Sequence, residues 1–98
     1  MSNIHALLVE GGVIETLKEL SKEPQSITSI VDASGGETFE FHYSDDLEFE
    51  QAFVRFYEAT ASIGRQLHAV TGNTVRVSVS KRDIPPFSGG YVVVRIAV

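Results

Sequence analysis

The three histidines are the side chains best suited to proton transfer or metal binding, and they are dispersed along the chain as His5, His42 and His68. No two of them have the three- or four-residue spacing that places side chains together on one face of a helix. The sequence contains no cysteine, which excludes disulfides, thiol catalysis and metal sites built on thiolates. We therefore expect neither a metal site nor a cofactor.

The neighbouring acids Asp45 and Asp46 have two interpretations. Adjacent carboxylates can share a divalent cation or carry out acid–base chemistry, because each raises the pKa of the other. They also immediately precede an amphipathic segment, and Glu48 follows Asp45 at the spacing of a capping box, so helix capping explains them more simply. Since the glycines and serines match no phosphate loop and no nucleophile elbow either, we predict a protein that is not an enzyme.

Acidic and basic residues are divided unequally between the two halves of the chain. The 98 residues carry a net charge of −5, of which residues 1–50 contribute −9 and residues 51–98 contribute +4. The bases of the last quarter are Arg76, Lys81, Arg82 and Arg95. Such a division is typical of solvated surfaces, and it also fits a polar surface that binds a partner.

The clearest predicted element is an amphipathic helix from Asp46 to about Thr71. Its apolar positions recur at steps of three and four residues, and Gly72 follows where a left-handed end is expected. The positions on this stripe are Phe49, Phe53, Phe56, Thr60, Ile63, Leu67 and Val70.

Two β-hairpins flank this helix in the sequence. The first joins residues 27–33 through Gly35 and Gly36 to a strand in which Phe39, Phe41 and Tyr43 alternate with polar residues. In the second hairpin, valines at 75, 77 and 79 alternate with polar residues, and the returning segment 91–98 is almost wholly apolar and β-branched. We expect this last strand to lie in the interior of the sheet.

The N-terminal segment has two interpretations, which predict different orders of elements. If residues 4–9 are a strand, the order is ferredoxin-like βαββαβ with one extra strand. If they are helical, the order is αββαββ, although Gly11 and Gly12 disfavour a continuous helix. Both predict one α+β domain over residues 1–98, with an antiparallel sheet of four to five strands covered on one face by one long and one short helix. We favour the helical start.

The loop between the strands of the second hairpin exposes apolar residues on a prolyl scaffold, which lowers the entropy lost when a partner binds. Phe87 either anchors a partner or folds back over the edge of the sheet as a lid. A partner-binding surface would join this loop to acids and to the outer sheet face; its candidate residues are Ile84, Pro85, Pro86, Phe87, Tyr91, Glu40, Asp45 and Asp46.

The outer face of the sheet suggests two further interactions. Tyr91, Val93 and Ala97 make it more apolar than full exposure favours, so we expect a homodimer, either through facing sheets or through opposite charges. The alternative is single-stranded nucleic-acid binding by a basic hairpin on which Tyr91 stacks. The residues that would contact phosphate are Arg76, Lys81, Arg82 and Arg95.

Composition and length define the class of protein that we expect. The chain has no uninterrupted apolar run long enough to cross a membrane and does not start with a signal sequence, so we expect a soluble cytoplasmic protein. The leading hypothesis is a small regulatory module, of an inhibitor or adaptor type, that binds another protein through its acidic surface and the 83–90 loop. Its acids would imitate phosphate and block a basic site on that partner.

Overall fold

The structure, a computed structural model, describes residues 3–98 and repeats one order of elements: two helices followed by a β-hairpin. The first half contains α1 (Ile4–Glu10), α2 (Val13–Ser21), β1 (Ser26–Val31) and β2 (Glu37–Tyr43). The second half contains α3 (Asp46–Glu58), α4 (Thr60–Thr71), β3 (Arg76–Asp83) and β4 (Gly90–Ala97).

The N-terminal segment is helical, so the ferredoxin-like order with an N-terminal strand is not confirmed. The side chain of Asn3 accepts a hydrogen bond from the backbone of Ala6 and caps α1. Gly11 and Gly12 then end this helix, and Gly12 adopts a left-handed φ of 76° before α2 begins. The glycine pair therefore turns the chain between two short helices.

The single long helix predicted between Asp46 and Thr71 is two helices, because Ala59, with φ −90° and ψ −2°, interrupts it. The hydroxyl of Thr60 donates to the carbonyl of Tyr57 in the preceding turn at 3.0 Å. The predicted ends are confirmed: the side chain of Asp45 accepts the backbone N–H of Glu48, and Gly72 ends α4 with a left-handed φ of 72°.

All four strands form one antiparallel sheet in the order β1-β2-β4-β3. As predicted from its apolar sequence, β4 lies in the interior. The two hairpins meet where β2 pairs with β4, so β1 and β3 form the edges of the sheet.

The helices lie on one face of the sheet, which makes the two-layer α+β sandwich that the sequence predicts. Alternate residues of β2 and β4 point toward the helices, and the apolar stripe of α3 and α4 packs on them. The largest fully buried apolar side chains are Phe41, Phe56, Ile4, Leu8, Ile63, Leu67, Ile96, Val13, Val92 and Val94. None of the helices described between residues 3 and 98 is long and apolar enough to cross a membrane.

Candidate functional site

The loop between β3 and β4 presents its apolar tip to solvent. The backbone N–H of Phe87 donates to the carbonyl of Ile84 at 2.9 Å, which closes a turn around Pro85 and Pro86, joined by a cis peptide bond. The Phe87 side chain is 74% exposed, so it does not cover the edge of the sheet as the lid interpretation requires.

The base of this loop is fastened to the segment that leads into α3. The hydroxyl of Ser88 donates to the carbonyl of Ser44 at 3.0 Å, and the backbone N–H of Gly89 donates to the carboxylate of Asp46. Gly89 has a left-handed φ of 76°, and a side chain there would overlap the carbonyl oxygen of Tyr43. The tip is therefore held above the acidic start of α3.

The predicted acidic residues are not all in one place. Asp45 caps α3, and Asp46 accepts the backbone N–H of Gly89, so both lie at the base of the loop that carries Phe87. Glu48 and Leu47 on the same turn are exposed. Glu40 lies apart on the outer face of the sheet, where it pairs with Arg82.

The outer face of the sheet places Arg82, Tyr91 and His42 in one cross-strand row. The two terminal nitrogens of Arg82 donate to the two carboxylate oxygens of Glu40 at 3.0 and 2.9 Å. These bonds lower the pKa of Glu40 and raise the pKa of Arg82. The guanidinium of Arg82 lies 4.6 Å from the ring centre of Tyr91, and the His42 ring stacks on Tyr91 at 4.7 Å. Tyr91 is thus in contact with two neighbours rather than open for stacking on a base.

Two other predicted phosphate contacts are also used within the molecule. Arg95 donates twice to Asp32, at 3.1 and 2.9 Å, whereas Lys81 points to the helix side of the sheet and donates to Glu50 at 2.7 Å. Among residues 3–98, Arg76 is the member of the predicted basic set that forms no ion pair.

Asp32 forms a polar cluster at the turn of the first hairpin. Its carboxylate accepts hydrogen bonds from the backbone and hydroxyl of Ser34 and from the backbone of Gly36, in addition to Arg95. Together these donors lower the pKa of Asp32 to about 2, and the bond from Ser34 has the largest effect. Nothing in the sequence around Asp32 singles it out, because its partner Arg95 lies 63 positions away.

A second site that the sequence analysis missed is a groove of about 580 Å³ at the end of α2. The hydroxyl of Tyr43 donates to the carbonyl of Ser21 at 2.8 Å, and the burial that accompanies this contact raises the pKa of Tyr43 to about 12. Arg55 donates to the carbonyl of Leu20 at 2.8 Å. Because both side chains bond to backbone carbonyls at the end of α2, they fix the helix end in place.

The histidines remain apart in the structure. His5 contacts Glu37, His42 stacks on Tyr91, and His68 lies 3.0 Å from the carbonyl of Asn73 near the end of α4. Among residues 3–98 no three metal-ligating side chains gather closely enough to hold a metal ion.

Comparison of the chain with protein-family models, with curated proteins and with solved structures finds no match. The class of protein is therefore defined by the fold alone: a two-layer α+β sandwich with a four-stranded antiparallel sheet.

Proposed function

We propose that this protein is a binding module that attaches to another protein through the tip of its 83–90 loop. The observation that carries the proposal is the 74% exposure of Phe87 on a loop whose base is hydrogen-bonded to Ser44 and Asp46. A large aromatic side chain held in solvent costs free energy in the unbound state and loses little entropy on binding. Such side chains are characteristic anchors of protein interfaces.

The charge around the loop defines the chemistry of the partner. Asp45, Asp46, Glu48 and Glu50 lie on the segment to which the base of the loop is fastened, and all four are exposed. A complementary partner therefore offers an apolar pocket for Phe87 and basic residues at its rim. Binding of this kind to a basic functional site is what an inhibitor or adaptor requires.

A matched pair of variants tests this proposal. The tagged chain is first used to capture proteins from a lysate of source cells treated with nuclease, and the partner is then purified and titrated. We expect Phe87→Ala to weaken binding by about tenfold or more, whereas Val9→Ala, at a similarly exposed apolar residue on α1 (57%), leaves the affinity unchanged. Equal affinities of the two variants for the captured protein would overturn the assignment of the surface.

The acidic contribution is tested separately by salt and by charge. We expect added salt to weaken the complex, and Glu48→Gln to reduce that salt dependence, because each removes attraction to a basic rim. Binding that is independent of salt would show that the acids are not part of the interface, which would then be formed by the loop without them.

Single-stranded nucleic-acid binding is the alternative, and one observation favours it: Arg76, Arg82, Arg95 and Tyr91 share the outer face of the sheet. It is the weaker proposal, because Arg82 and Arg95 are paired with acids and Tyr91 is flanked by Arg82 and His42.

A homodimer through facing sheets is disfavoured by the same ion pairs, since they cross the face that would have to be desolvated.

A further inference from the structure

The β1 edge of the sheet is unprotected. All six residues of β1 are exposed, and they include no charged residue and no proline. Its apolar side chains project on both faces, with Ile27 47%, Ile30 68% and Val31 54% exposed. Such an edge is a template for pairing with another strand.

The opposite edge of the same sheet is protected in the ways that natural proteins use. β3 carries Arg76, Lys81, Arg82 and Asp83, and α3 and α4 both pack on it. Lys81 turns inward over the rings of Phe49 and Phe53. The helices of the first half are shorter, and the main contacts of β1 are with β2 alone, so its edge is accessible to a second chain.

The backbone groups available on β1 belong to alternate residues. The N–H of Asp32 donates to the carbonyl of Gly36 across the hairpin, and Val31 pairs with Glu37 in the same register. Since antiparallel ladders alternate between bonded and non-bonded pairs, the even residues of β1 bond to β2. The N–H and C=O groups of Ile27, Ser29 and Val31 therefore point outward.

We propose that the protein forms a homodimer in which β1 pairs antiparallel with β1 of a second copy, with Ser29 opposite Ser29. This register places Ile27 of each copy opposite Val31 of the other. The outward-pointing N–H and C=O groups of Ile27, Ser29 and Val31 form the hydrogen bonds between the two strands. The twofold axis is perpendicular to the sheet, so two four-stranded sheets join into one of eight strands with both helix layers on the same face. The proposal does not depend on the function assigned to the loop.

The chemistry of β1 favours a second copy as the occupant, because the strand is complementary to itself. In the register centred on Ser29, the exposed Ile27 and Val31 side chains cover each other on the helix side of the sheet. Asp32 lies opposite Ser26 and is already bound to Arg95. In this register no two like charges of residues 26–32 lie opposite each other. The same strand of both copies can therefore form the contact without electrostatic repulsion.

The first test measures oligomeric state by sedimentation velocity over a range of concentrations. We expect the unmodified chain to dimerise. The variant Ile27→Lys with Val31→Lys, and the variant Ile27→Glu with Val31→Glu, should each raise the dimer dissociation constant about a hundredfold or more through like charges. Mixing the two should restore a one-to-one heterodimer, and circular dichroism checks that each variant is folded. A chain that stays monomeric at all concentrations, or charged variants that dimerise like the unmodified chain, would overturn the proposal.

The second test fixes the register and has a matched control. Because the sequence contains no cysteine, Ser29→Cys introduces a single thiol on β1. Ser80→Cys introduces one on β3, the protected edge, at a residue that is also exposed. Under mild oxidation we expect Ser29→Cys to form a covalent dimer about ten times faster, because pairing holds its two thiols at high effective concentration. Equal rates would show that any dimer uses another surface.

Discussion

At the scale of single residues, the most informative side chain is Glu37, which is 1% exposed. Its two carboxylate oxygens lie 3.1 and 3.0 Å from Nδ1 of His5, so His5 donates a hydrogen bond from α1 to a carboxylate at the start of β2. A buried carboxylate that loses its donor keeps the full cost of desolvation. This contact therefore couples the first helix to the sheet.

We predict that His5→Ala lowers the free energy of unfolding by about 1–3 kcal/mol, because the substitution leaves the carboxylate of Glu37 buried without this donor. Urea denaturation measures the loss. In a Glu37→Leu background, His5→Ala should lower the free energy of unfolding much less, since no buried carboxylate then needs a hydrogen-bond donor. An equal cost in both backgrounds would mean that His5 acts through packing and not through the carboxylate.

Asp32 leads to a prediction about pH. Its pKa in the folded protein is about 2, below the ordinary value of 3.8, so the folded state favours the charged form. The resulting stability is complete above about pH 4 and is lost as the pH falls toward 2. We expect Asp32→Asn to lower the melting temperature at pH 7. The difference in melting temperature between this variant and the unmodified chain should become smaller as the pH falls from 4 to 2.

The matched control for this experiment is Asp83→Asn, at an exposed aspartate that forms no ion pair among residues 3–98. This variant should melt close to the unmodified chain at pH 7. If the difference in melting temperature between Asp32→Asn and the unmodified chain does not change with pH, the Asp32 cluster acts through geometry and not through charge.

At the scale of elements, two glycines with nearly the same backbone conformation have different surroundings. Gly72 ends α4 with φ 72° and has open space around it, whereas Gly89 has φ 76° and lies against the carbonyl of Tyr43. Replacing either one introduces backbone strain. Only at Gly89 does a side chain also displace the base of the loop.

We expect Gly72→Ala to cost about 1 kcal/mol of unfolding free energy and Gly89→Ala to cost about 3 kcal/mol or more. Thermal or urea denaturation of the two variants tests this order. Gly89→Ala should also weaken partner binding through Phe87, because it moves the loop that carries the anchor. A Gly89→Ala variant as stable as Gly72→Ala would contradict the close approach of the loop to β2.

At the scale of the whole molecule, three ion pairs join the acidic first half of the chain to the basic second half. Glu50, Glu40 and Asp32 from the first half bind Lys81, Arg82 and Arg95 from the second. The topology causes this pairing: β2 lies beside β4, β3 lies on the other side of β4, and α3 packs across them. The basic hairpin is therefore less available to an external polyanion than the sequence suggests.

We predict that the full chain binds a fluorescein-labelled single-stranded oligonucleotide weakly at physiological salt. Its net charge is −5, and three of the four predicted phosphate contacts, Lys81, Arg82 and Arg95, are paired with acids. Fluorescence anisotropy measures the affinity. Tight binding that falls, together with its salt dependence, in the variant Arg76→Ala with Arg95→Ala would instead support the nucleic-acid alternative.

Much of the fold follows from local patterns in the sequence. The period-2 alternation around Phe39 and Phe41 and the apolar segment 91–98 predicted both hairpins and the interior position of β4, because burial of one or both faces leaves a direct pattern. The ends of the segment from Asp46 to Thr71 were predicted by capping residues. The same alternation places Glu37 on the core face of β2.

Only the tertiary structure decided how these elements are used. The break at Ala59 leaves the apolar stripe of the two helices unchanged, so periodicity alone does not reveal it. The exposure of Phe87 depends on where its loop is fastened. Arg82 and Arg95 form ion pairs with acids that lie 42 and 63 positions away in the sequence. The edge of β1 is open because the helices do not reach it. Local periodicity records which face of an element is buried, whereas contacts between distant residues and the exposure of edges arise only when the elements assemble.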